Sequence, residues 1–378
     1  MGDAVALVVF DHRRSGTGSR QMTSPRTVLI PSDVFDFVAN FADGYRKLGF
    51  DVSGGLINFE LECRRYDIVH LLWPEELTEW RQPTSQRIDE ILERLDRWAQ
   101  HSRIVISVNN LYPHRYNRDP AFHRLYTGIY ERADVIHHFS NASKELVTRE
   151  FPSIFERNHI VRVGFNYERL LPANSIDRSE ARRSFGFAAD ELVFLVFGTL
   201  RFWGEAELLR NAFRRARVSK KRLVLTAHYV EPGSNLKQRW RRWQWRQWQR
   251  ADDITLITER IPDAQLGDLF SAADAVIVVR QNSISSGVPS MAMTFGRFLI
   301  VPDFGGMAEY VTGTGNLTYD PWSAQDLAMA MERATAADRE GVGKVNAQIA
   351  GKWGWEAIVQ ACIDALPSEG HEHRKHFG

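Results

Sequence analysis

Two segments in the C-terminal half combine residue types that bind phosphate groups. In ELVFLVFGTLRFWGEAELL an apolar run leads into a glycine and an arginine, and then into a helical pattern. In DAVIVVRQNSISSGVPSMAM a second apolar run leads into serines and a glycine, again before a helical pattern. A helix N-terminus presents free N–H groups to an anion, and a guanidinium adds charge and paired donors. Either junction alone could be a tight turn with a surface arginine, but together they predict a diphosphate site. The predicted residues are Gly198, Thr199, Arg201, Ser285, Ser286 and Gly287.

The N-terminal half offers candidates for acid–base chemistry. Glu75 and Asn110 follow predicted strands, and His114 stands close behind the second of them. A carboxylate or an imidazole can take a proton from a substrate hydroxyl. Each of the three could instead be a hydrogen-bonded structural residue at a strand end. Gly16 and Gly18, in the loop RRSGTGSRQ, would let the chain pass close to a ligand, although glycine is also common in plain flexible loops.

The segment LKQRWRRWQWRQWQR stands out because it holds six basic residues, four tryptophans and no acid. On a helix its arginines and tryptophans fall on adjoining faces. Tryptophan favours the headgroup region of a bilayer and arginine an anionic surface, so residues 237–250 predict contact with a membrane. Packing on the domain and contact with a partner protein are alternatives, and nucleic acid is not expected. The residues predicted to make this contact are Trp240, Arg242, Trp243, Arg246 and Trp248.

Short apolar runs alternate with amphipathic helical patterns along almost the whole chain, which is typical of βαβ units around parallel sheets. The sequence therefore predicts an α/β fold. A polar connector separates two such halves and predicts domains at 1–168 and 169–366, followed by a polar tail at 367–378. We expect ligands in the cleft at the carboxyl ends of the strands. The predicted strands are 5–9, 68–72, 104–108, 135–138, 160–163, 192–197, 223–227, 254–257, 275–279 and 298–301, and two of the predicted helices are 33–49 and 85–100.

Bulk composition argues against several classes of protein. The 378 residues include 48 basic and 47 acidic side chains, a formal net charge of +1 that gives no sign of a polyanionic partner. Two cysteines, Cys63 and Cys362, are too few for a disulfide framework and favour a reducing compartment. No apolar run approaches the roughly 20 residues that span a bilayer, and the N-terminus lacks a signal-peptide pattern. We therefore expect a cytoplasmic protein, peripheral on the inner face of the plasma membrane if 237–250 binds lipid. No D-x-D pair or metal-ligand spacing occurs, so we expect no bound metal.

The phosphate-type segments resemble those of glycosyltransferase family 4 and related bacterial exopolysaccharide glycosyltransferases. FGTLRFWGEAELL is similar to the family's strand–Gly–x–x–Arg–helix segment, and SSGVPSMAMTFGRFLIVPDFGGMAEYV looks like its donor-binding helix and following strand. YDIVHLLWPEEL and IVISVNNLYPH resemble strand ends of one subset of relatives. The resemblance implies a GT-B fold, with two Rossmann-like domains facing each other across a cleft and the last helix crossing back to the N-terminal domain.

The same resemblance implies a reaction. The C-terminal domain would bind a nucleotide sugar, most often a UDP- or GDP-sugar, with no further cofactor. The N-terminal domain would bind a saccharide acceptor, expected to be lipid-linked, in the synthesis of a bacterial surface polysaccharide. An inverting transfer would use a general base such as Glu75 or His114, whereas a retaining transfer needs none.

The sequence departs from the resembled family at several positions. Relatives usually carry two glutamates eight positions apart around the donor sugar, where this chain has Ser283 and Met291. A lysine that often follows the phosphate-binding arginine is absent, so Arg280 would have to support Arg201 at the diphosphate. The histidine usual at the fourth strand end is Asn109. These changes imply an unusual donor or a non-catalytic member.

Other functions fit parts of the pattern. A non-catalytic GT-B subunit that positions a partner transferase agrees with the missing glutamates. A GT-B nucleotide-sugar epimerase would use the donor site without an acceptor, and a phosphorylase would need a lysine that holds pyridoxal phosphate. A dinucleotide-dependent dehydrogenase is disfavoured because the chain has no G-x-G-x-x-G turn with a downstream acid.

Overall fold

The computed structural model describes residues 26–32, 36–113, 116, 118–171, 177–226, 235–281 and 283–367. Within these residues twelve strands form two six-stranded sheets, and every paired strand is parallel to its neighbour. Helices connect the strands, which confirms the predicted α/β class. The predicted strand at 5–9 and the loop with Gly16 and Gly18 lie outside the described residues.

The first sheet has the strand order β2-β1-β3-β4-β5-β6. Four of the predicted strands correspond to β3 to β6 within two residues. The first two strands were not predicted from the sequence: β1 is a short apolar run, TVLI, that was not recognised as a strand, and β2 is an edge strand without an apolar run. The strands are β1 (Thr27–Ile30), β2 (Asp51–Gly54), β3 (Ile68–Leu71), β4 (Arg103–Val108), β5 (Val135–His138) and β6 (His159–Val161).

Helices of the first unit follow their sequence signals closely. Thr84 caps α3 by accepting a hydrogen bond from the Arg87 backbone N–H at 3.1 Å, and Asp119 caps α4 just before Pro120. The apolar stripe of α3, which includes Ile88 and Leu95, is buried as predicted. The helices are α1 (Asp36–Lys47), α2 (Leu56–Leu61), α3 (Ser85–Ala99), α4 (Pro120–Arg132) and α5 (Asn141–Glu150).

The second sheet has the strand order β12-β11-β10-β7-β8-β9. The five predicted strands of this half are present. The sixth strand, β12, was not predicted, because its sequence LTY has an exposed threonine at its centre and forms no apolar run. The strands are β7 (Leu192–Val196), β8 (Lys221–Leu225), β9 (Ile254–Leu256), β10 (Ala275–Ile277), β11 (Phe298–Pro302) and β12 (Leu317–Tyr319). The helices are α6 (Arg178–Ser184), α7 (Trp203–Arg215), α8 (Leu236–Trp248), α9 (Asp263–Ala272), α10 (Gly287–Thr294), α11 (Gly306–Val311), α12 (Ala324–Arg333), α13 (Arg339–Ala350) and α14 (Trp355–Asp364).

The last helix, α14, packs on α1 of the first unit. The Trp355 ring lies 4.9 Å from the Phe41 ring, and Gly44 of α1 lies so close that a Cβ there would be 2.9 Å from the Trp355 carbonyl oxygen. One buried cluster contains side chains from both sheets, Val105 and Leu299 among them. The predicted boundary at 168/169 falls in a short 3-10 turn, Glu168–Leu170, between the two sheets.

Candidate active site

The second sheet contains a topological switch point between β7 and β10. The chain runs from β7 outward through β8 and β9, and then returns to β10 on the other side of β7. In such sheets the connections after the two central strands leave on opposite faces, so a crevice opens at their carboxyl ends. Gly198 follows β7 and Arg280 follows β10. The two predicted phosphate-type segments therefore meet at the edge where this fold class binds ligands.

Gly198 makes the turn that leaves β7. Its φ of +84° lies in the left-handed region, which glycine adopts without a steric cost. Its backbone N–H donates to Oγ1 of Thr226, which follows β8, at 3.0 Å. A Cβ on Gly198 would lie 3.9 Å from Nη2 of Arg280 and 3.8 Å from Cγ2 of Val288. The turn thus lies directly against both the arginine and the start of α10.

Two guanidinium groups and one carboxylate form the charged centre of this crevice. Nη1 of Arg201 donates to Oγ of Ser283 at 3.2 Å, and Nη1 of Arg280 lies 3.7 Å from Oε2 of Glu205. The same carboxylate oxygen accepts a hydrogen bond from the Arg201 backbone N–H at 2.7 Å. Glu205 is 1% exposed and Arg280 is 6% exposed. The cluster carries a formal charge of +1 when all three groups are ionised, which suits an anionic ligand.

Burial perturbs the charged groups of the cluster. Desolvation, with a smaller contribution from the charge of Arg280, lowers the pKa of Arg201 to about 10. Desolvation also raises the pKa of Glu205, and the neighbouring Arg280 opposes that rise. At neutral pH both guanidinium groups remain charged. They are held in a poorly hydrated place, where a bound anion would be attracted more strongly than in water.

The start of α10 completes the predicted anion site. Ser286 is the N-cap, and its Oγ accepts from the Val288 backbone N–H at 3.4 Å. Ser283 donates from Oγ to the Ser285 carbonyl oxygen at 2.5 Å, so the loop before the helix is internally fixed. The Tyr167 hydroxyl lies where a Cβ of residue 287 would be, so only glycine fits at this position. The structure therefore brings the predicted donor-side residues together. Thr199 is the exception, because none of the described contacts involves it.

The first sheet also has a switch point, between β1 and β3, and its chemistry is different. Ser32, two residues after β1, donates from Oγ to Oε2 of Glu76 at 2.5 Å. Glu75 accepts hydrogen bonds from Nδ2 of Asn110, at 2.9 Å, and from the Tyr126 hydroxyl. Desolvation raises the pKa of Glu75. Its exposed fraction is 0%, so the carboxylate is out of reach of a ligand in this structure.

The remaining N-terminal candidates are placed as follows. Asn110 is half-buried and touches Glu75, so two of the three predicted residues come together. His114 lies outside the described residues. Asn109, which stands where relatives have a histidine, donates from Nδ2 to the Leu72 carbonyl oxygen at 3.0 Å and ties the ends of β3 and β4.

Solved glycosyltransferase structures match this chain along nearly its whole length. Sucrose-phosphate synthase from Thermosynechococcus elongatus superposes with a TM-score of 0.68 at 17% identity, over 90% of this chain and 98% of that one. HepE from Anabaena, in complex with UDP-glucose, gives 0.62 at 15% identity, over 91% and 99%. A glycosyltransferase from Rickettsia africae gives 0.62 at 13% identity, over 91% and 99%. The chain has the GT-B fold. No family model and no curated protein matches the sequence.

Direct contacts join the two units across the GT-B cleft. Oε1 of Glu309, on α11, accepts from the backbone N–H and Nδ2 of Asn141 at 3.1 and 2.7 Å, and its Oε2 accepts from the Ala142 N–H at 3.3 Å. A carboxylate from the second unit thereby caps α5 of the first. Ile284, in the donor-side loop, is 4% exposed and belongs to an apolar cluster of the first unit. Both contacts thus join the second unit directly to the first.

The arginine- and tryptophan-rich segment forms α8 on the outer side of the second unit of the GT-B fold. Trp245 is buried, Trp248 lies 4.9 Å from it and is half-buried, and Arg241 lies over the Trp203 ring at 5.2 Å. Trp240 and Trp243 point away and are 56% and 59% exposed. The predicted tryptophans are thus divided between a packed face and an exposed one.

The described part of the chain lacks two further features, a cluster of metal ligands and a membrane-spanning helix. In the described part of the chain, no three His, Cys, Asp or Glu side chains cluster as ligands for a metal ion. Among the described helices, none is both long enough and apolar enough to span a bilayer.

Three residues of the site were missed at the sequence level. Glu205 resembles an ordinary acidic residue in the first turn of a helix, although its position four residues after Arg201 was an available signal. Thr226 follows β8, and no sequence motif indicated that it belongs to the site. Tyr167 lies in the connector between the domains, where nothing in the sequence pointed to the start of α10.

Proposed function

We propose that this protein is a glycosyltransferase that moves a sugar from a nucleotide-diphosphate donor to a saccharide acceptor. The observation that carries the proposal is the meeting of Arg201, Arg280 and the start of α10 at the switch point of the second sheet. HepE, which has the same fold, has been solved in complex with UDP and with UDP-glucose. UDP- or GDP-sugars are accordingly the donors we propose.

In the proposed reaction the acceptor oxygen bonds to the anomeric carbon of the donor while the bond from that carbon to the diphosphate oxygen breaks. The nucleoside diphosphate leaves with increased negative charge. Arg201, Arg280 and the dipole of α10 would stabilise that charge in a site that is already organised before the reaction. The acceptor proton leaves to a general base in an inverting transfer, or to the departing phosphate in a retaining one.

Burial of Glu75 changes the role that we propose for it. Because its carboxylate is inaccessible and held by Tyr126 and Asn110, we assign Glu75 and Asn110 to positioning the loop after β3, with no contact to the acceptor. His114 remains the candidate base from the sequence. The N-terminal glycines Gly16 and Gly18 remain candidates for a loop beside the ligand.

The finer proposal is that the acceptor is lipid-linked and that α8 meets an anionic membrane. Leu236, Trp240 and Trp243 recur at helical spacing on the exposed face and are 82%, 56% and 59% exposed. Arg246 is exposed beside them, and α8 contains no acid. This combination of exposed tryptophan and cationic charge suits the surface of anionic lipids. The role in surface-polysaccharide synthesis rests on the same acceptor proposal.

A thermal-shift screen with UDP, GDP, ADP, dTDP and CMP, each with and without its sugars, tests the proposal. A nucleotide that binds only the folded protein raises the unfolding midpoint by mass action. We expect UDP or GDP to give the largest rise and the matching nucleotide sugar to be consumed when saccharide acceptors are added. If none of the five nucleotides raises the midpoint, the donor site is assigned wrongly.

One second candidate is favoured by a specific observation. Ser283, which replaces a glutamate of relatives, is 4% exposed and is engaged by Arg201, and Met291 is 9% exposed. A non-catalytic subunit that binds a nucleotide and positions a partner transferase would keep such a site. In that case the nucleotide raises the midpoint, but no donor is hydrolysed or transferred with any acceptor.

A further inference from the structure

The turn after β3 has an unusual backbone. The chain leaves β3 through a short 3-10 helix, Pro74–Thr78, and the next two residues, Glu79 and Trp80, have φ values of 52° and 61°. Both lie in the left-handed region, where the Cβ of an L-residue meets the backbone. For a bulky aromatic residue such a conformation is an outlier. Trp80 therefore occupies a place that glycine would fill at a lower free energy.

Main-chain hydrogen bonds are sufficient to make this turn. The Trp80 backbone N–H donates to the Glu75 carbonyl oxygen at 2.9 Å, and the Glu79 N–H donates to the Glu76 carbonyl oxygen at 2.9 Å. The Arg81 N–H donates to the carbonyl oxygen of the 3-10 helix's last residue at 3.0 Å. A glycine at position 80 could make the same bonds. The indole is thus not required by the turn, and about half of it, 48%, is exposed.

The exposed indole lies at the switch point of the first sheet. Its ring centroid is 6.3 Å from that of Trp73, which follows β3, with the ring planes inclined at 48°. Trp73 in turn lies 5.4 Å from Phe37. Trp80 and Trp73 thus form a two-ring surface, hereafter the tryptophan pair, in which Trp73 packs on the apolar core and about half of Trp80 is exposed.

A row of aromatic rings connects the tryptophan pair to the donor side of the cleft. Phe37 lies 5.3 Å from Phe165, and Phe165 lies 5.6 Å from Tyr167. The Tyr167 hydroxyl reaches the place of a Cβ on Gly287, at the start of α10. The tryptophan pair therefore belongs to the same wall of packed rings that ends at the proposed donor site.

We propose that the tryptophan pair is the platform on which the acceptor's sugar ring stacks. This inference rests on the proposed transfer function and names its acceptor subsite. A pyranose ring carries several C–H groups on one face, and such an apolar face gains free energy when it leaves water for the face of an indole. Ligand sites of this kind combine an aromatic wall with a few polar groups. The left-handed backbone conformation at Trp80 sets the direction of its indole, and the sugar ring of the acceptor would stack on that indole.

The alternative is that Trp80 merely packs on Trp73 to cover the core. Two glycine variants separate the alternatives. Trp80→Gly removes the indole and relieves the left-handed conformation, whereas Glu79→Gly relieves the same kind of conformation one residue earlier and keeps the indole. If covering the core were the function of Trp80, its loss would mainly lower the unfolding midpoint.

The test uses the full chain saturated with UDP or GDP, whichever raises the wild-type midpoint more, and three probes, the p-nitrophenyl glucoside, galactoside and mannoside. Saturation-transfer difference NMR reports which ring protons of a probe lie against the protein. We expect at least one pyranoside to bind the wild type through the C–H face of its ring. For Trp80→Gly we expect binding at least about tenfold weaker, with the midpoint within about 4 °C of wild type and an unchanged shift of the midpoint by the same nucleotide. Glu79→Gly should bind the pyranoside as the wild type does.

Two results would overturn the inference. One is binding of the pyranosides to Trp80→Gly with wild-type affinity, and the other is failure of all three to bind the wild type. Failure of the proposed function gives a separate result, because neither UDP nor GDP would then raise the unfolding midpoint, even if pyranoside binding still depends on Trp80.

Discussion

The two sheets have the same kind of switch point, yet they place opposite chemistry there. At the second sheet two buried or half-buried guanidinium groups, Arg201 and Arg280, share one carboxylate, Glu205. At the first sheet two buried carboxylates, Glu75 and Glu76, are held by neutral donors. The shared topology therefore sets the place where we propose that a ligand binds, and the side chains at that place determine which ligand charge fits. The cationic side suits a nucleoside diphosphate, and the other side suits a neutral sugar.

The two units also differ in their interiors. Under the first sheet a buried hydrogen-bonded chain runs from the Tyr45 hydroxyl to Nδ1 of His70 at 3.0 Å, from Nε2 of His70 to the Ser107 hydroxyl at 2.8 Å, and from there to Nδ1 of His137 at 2.8 Å. The cores of β7 and β8 are formed by aliphatic and phenyl side chains such as Val193. We therefore expect acid to weaken the first unit most.

The largest predicted effect is this loss of stability in acid. Desolvation lowers the pKa values of His70 and His137 to about 3, against about 6.5 when unfolded, so the unfolded chain binds more protons below pH 6.5. Stability falls as the pH drops, by about 2 kcal/mol per histidine between pH 7 and pH 5. Urea unfolding at both pH values should show a smaller loss for His70→Gln than for the wild type. An identical loss in both proteins would contradict the account.

The second prediction concerns the buried ion pair. Arg280→Met removes the more strongly interacting of two positive charges beside the buried carboxylate of Glu205 and leaves only Arg201 there, and removing one partner of a buried pair costs up to about 3–5 kcal/mol. Adding Glu205→Gln to that variant should restore most of the lost free energy of unfolding, measured by urea titration at pH 7. If the double variant is as unstable as the single one, Glu205 does not serve as the counter-charge of Arg280.

The smallest effect is expected outside the cleft, on α8. Replacing Trp240 and Trp243 by alanine should lower partition onto vesicles containing anionic phosphatidylglycerol by about tenfold, because both indoles are exposed. Trp322→Ala, which removes another exposed indole, is the matched control and should partition as the wild type does. Equal partition of the wild type and both variants would contradict the proposed membrane role of α8. Wild-type binding to purely zwitterionic vesicles should be weaker than to anionic ones.

Much of the donor side could be predicted from the sequence, because it depends on local order along the chain. Gly198, Arg201 and Ser286 each follow a strand and precede a helix, and parallel sheets bring such junctions to one edge. Glu205 had one local signal, its position four residues after Arg201, but its pairing with Arg280, 75 positions away, is a property of the fold that the sequence does not show. The sequence also predicted no special role for Trp80, because its left-handed backbone is a property of the folded turn.

The outer face of α8 shows a similar limit. Helical periodicity predicts arginines and tryptophans on adjoining faces, but it cannot tell which face meets the domain. The structure turns Trp245 toward the domain and leaves Trp240 outside. That choice depends on the partner surface, where Trp203 lies under Arg241. Edge strands such as β2 were missed for a related reason. Such a strand is formed by hydrogen bonds to its neighbour, and those bonds require no apolar pattern in the sequence.

The most direct test of the central claim is calorimetric titration of Arg201→Ala with UDP or GDP, whichever raises the wild-type midpoint more. Arg183→Ala, which removes an exposed arginine on α6 of the same domain, is the control. The account predicts a Kd weakened by about 10- to 100-fold in Arg201→Ala, as expected for the loss of a charge-assisted hydrogen bond, and an unchanged Kd in Arg183→Ala. A wild-type Kd in Arg201→Ala would contradict the assignment of the donor site.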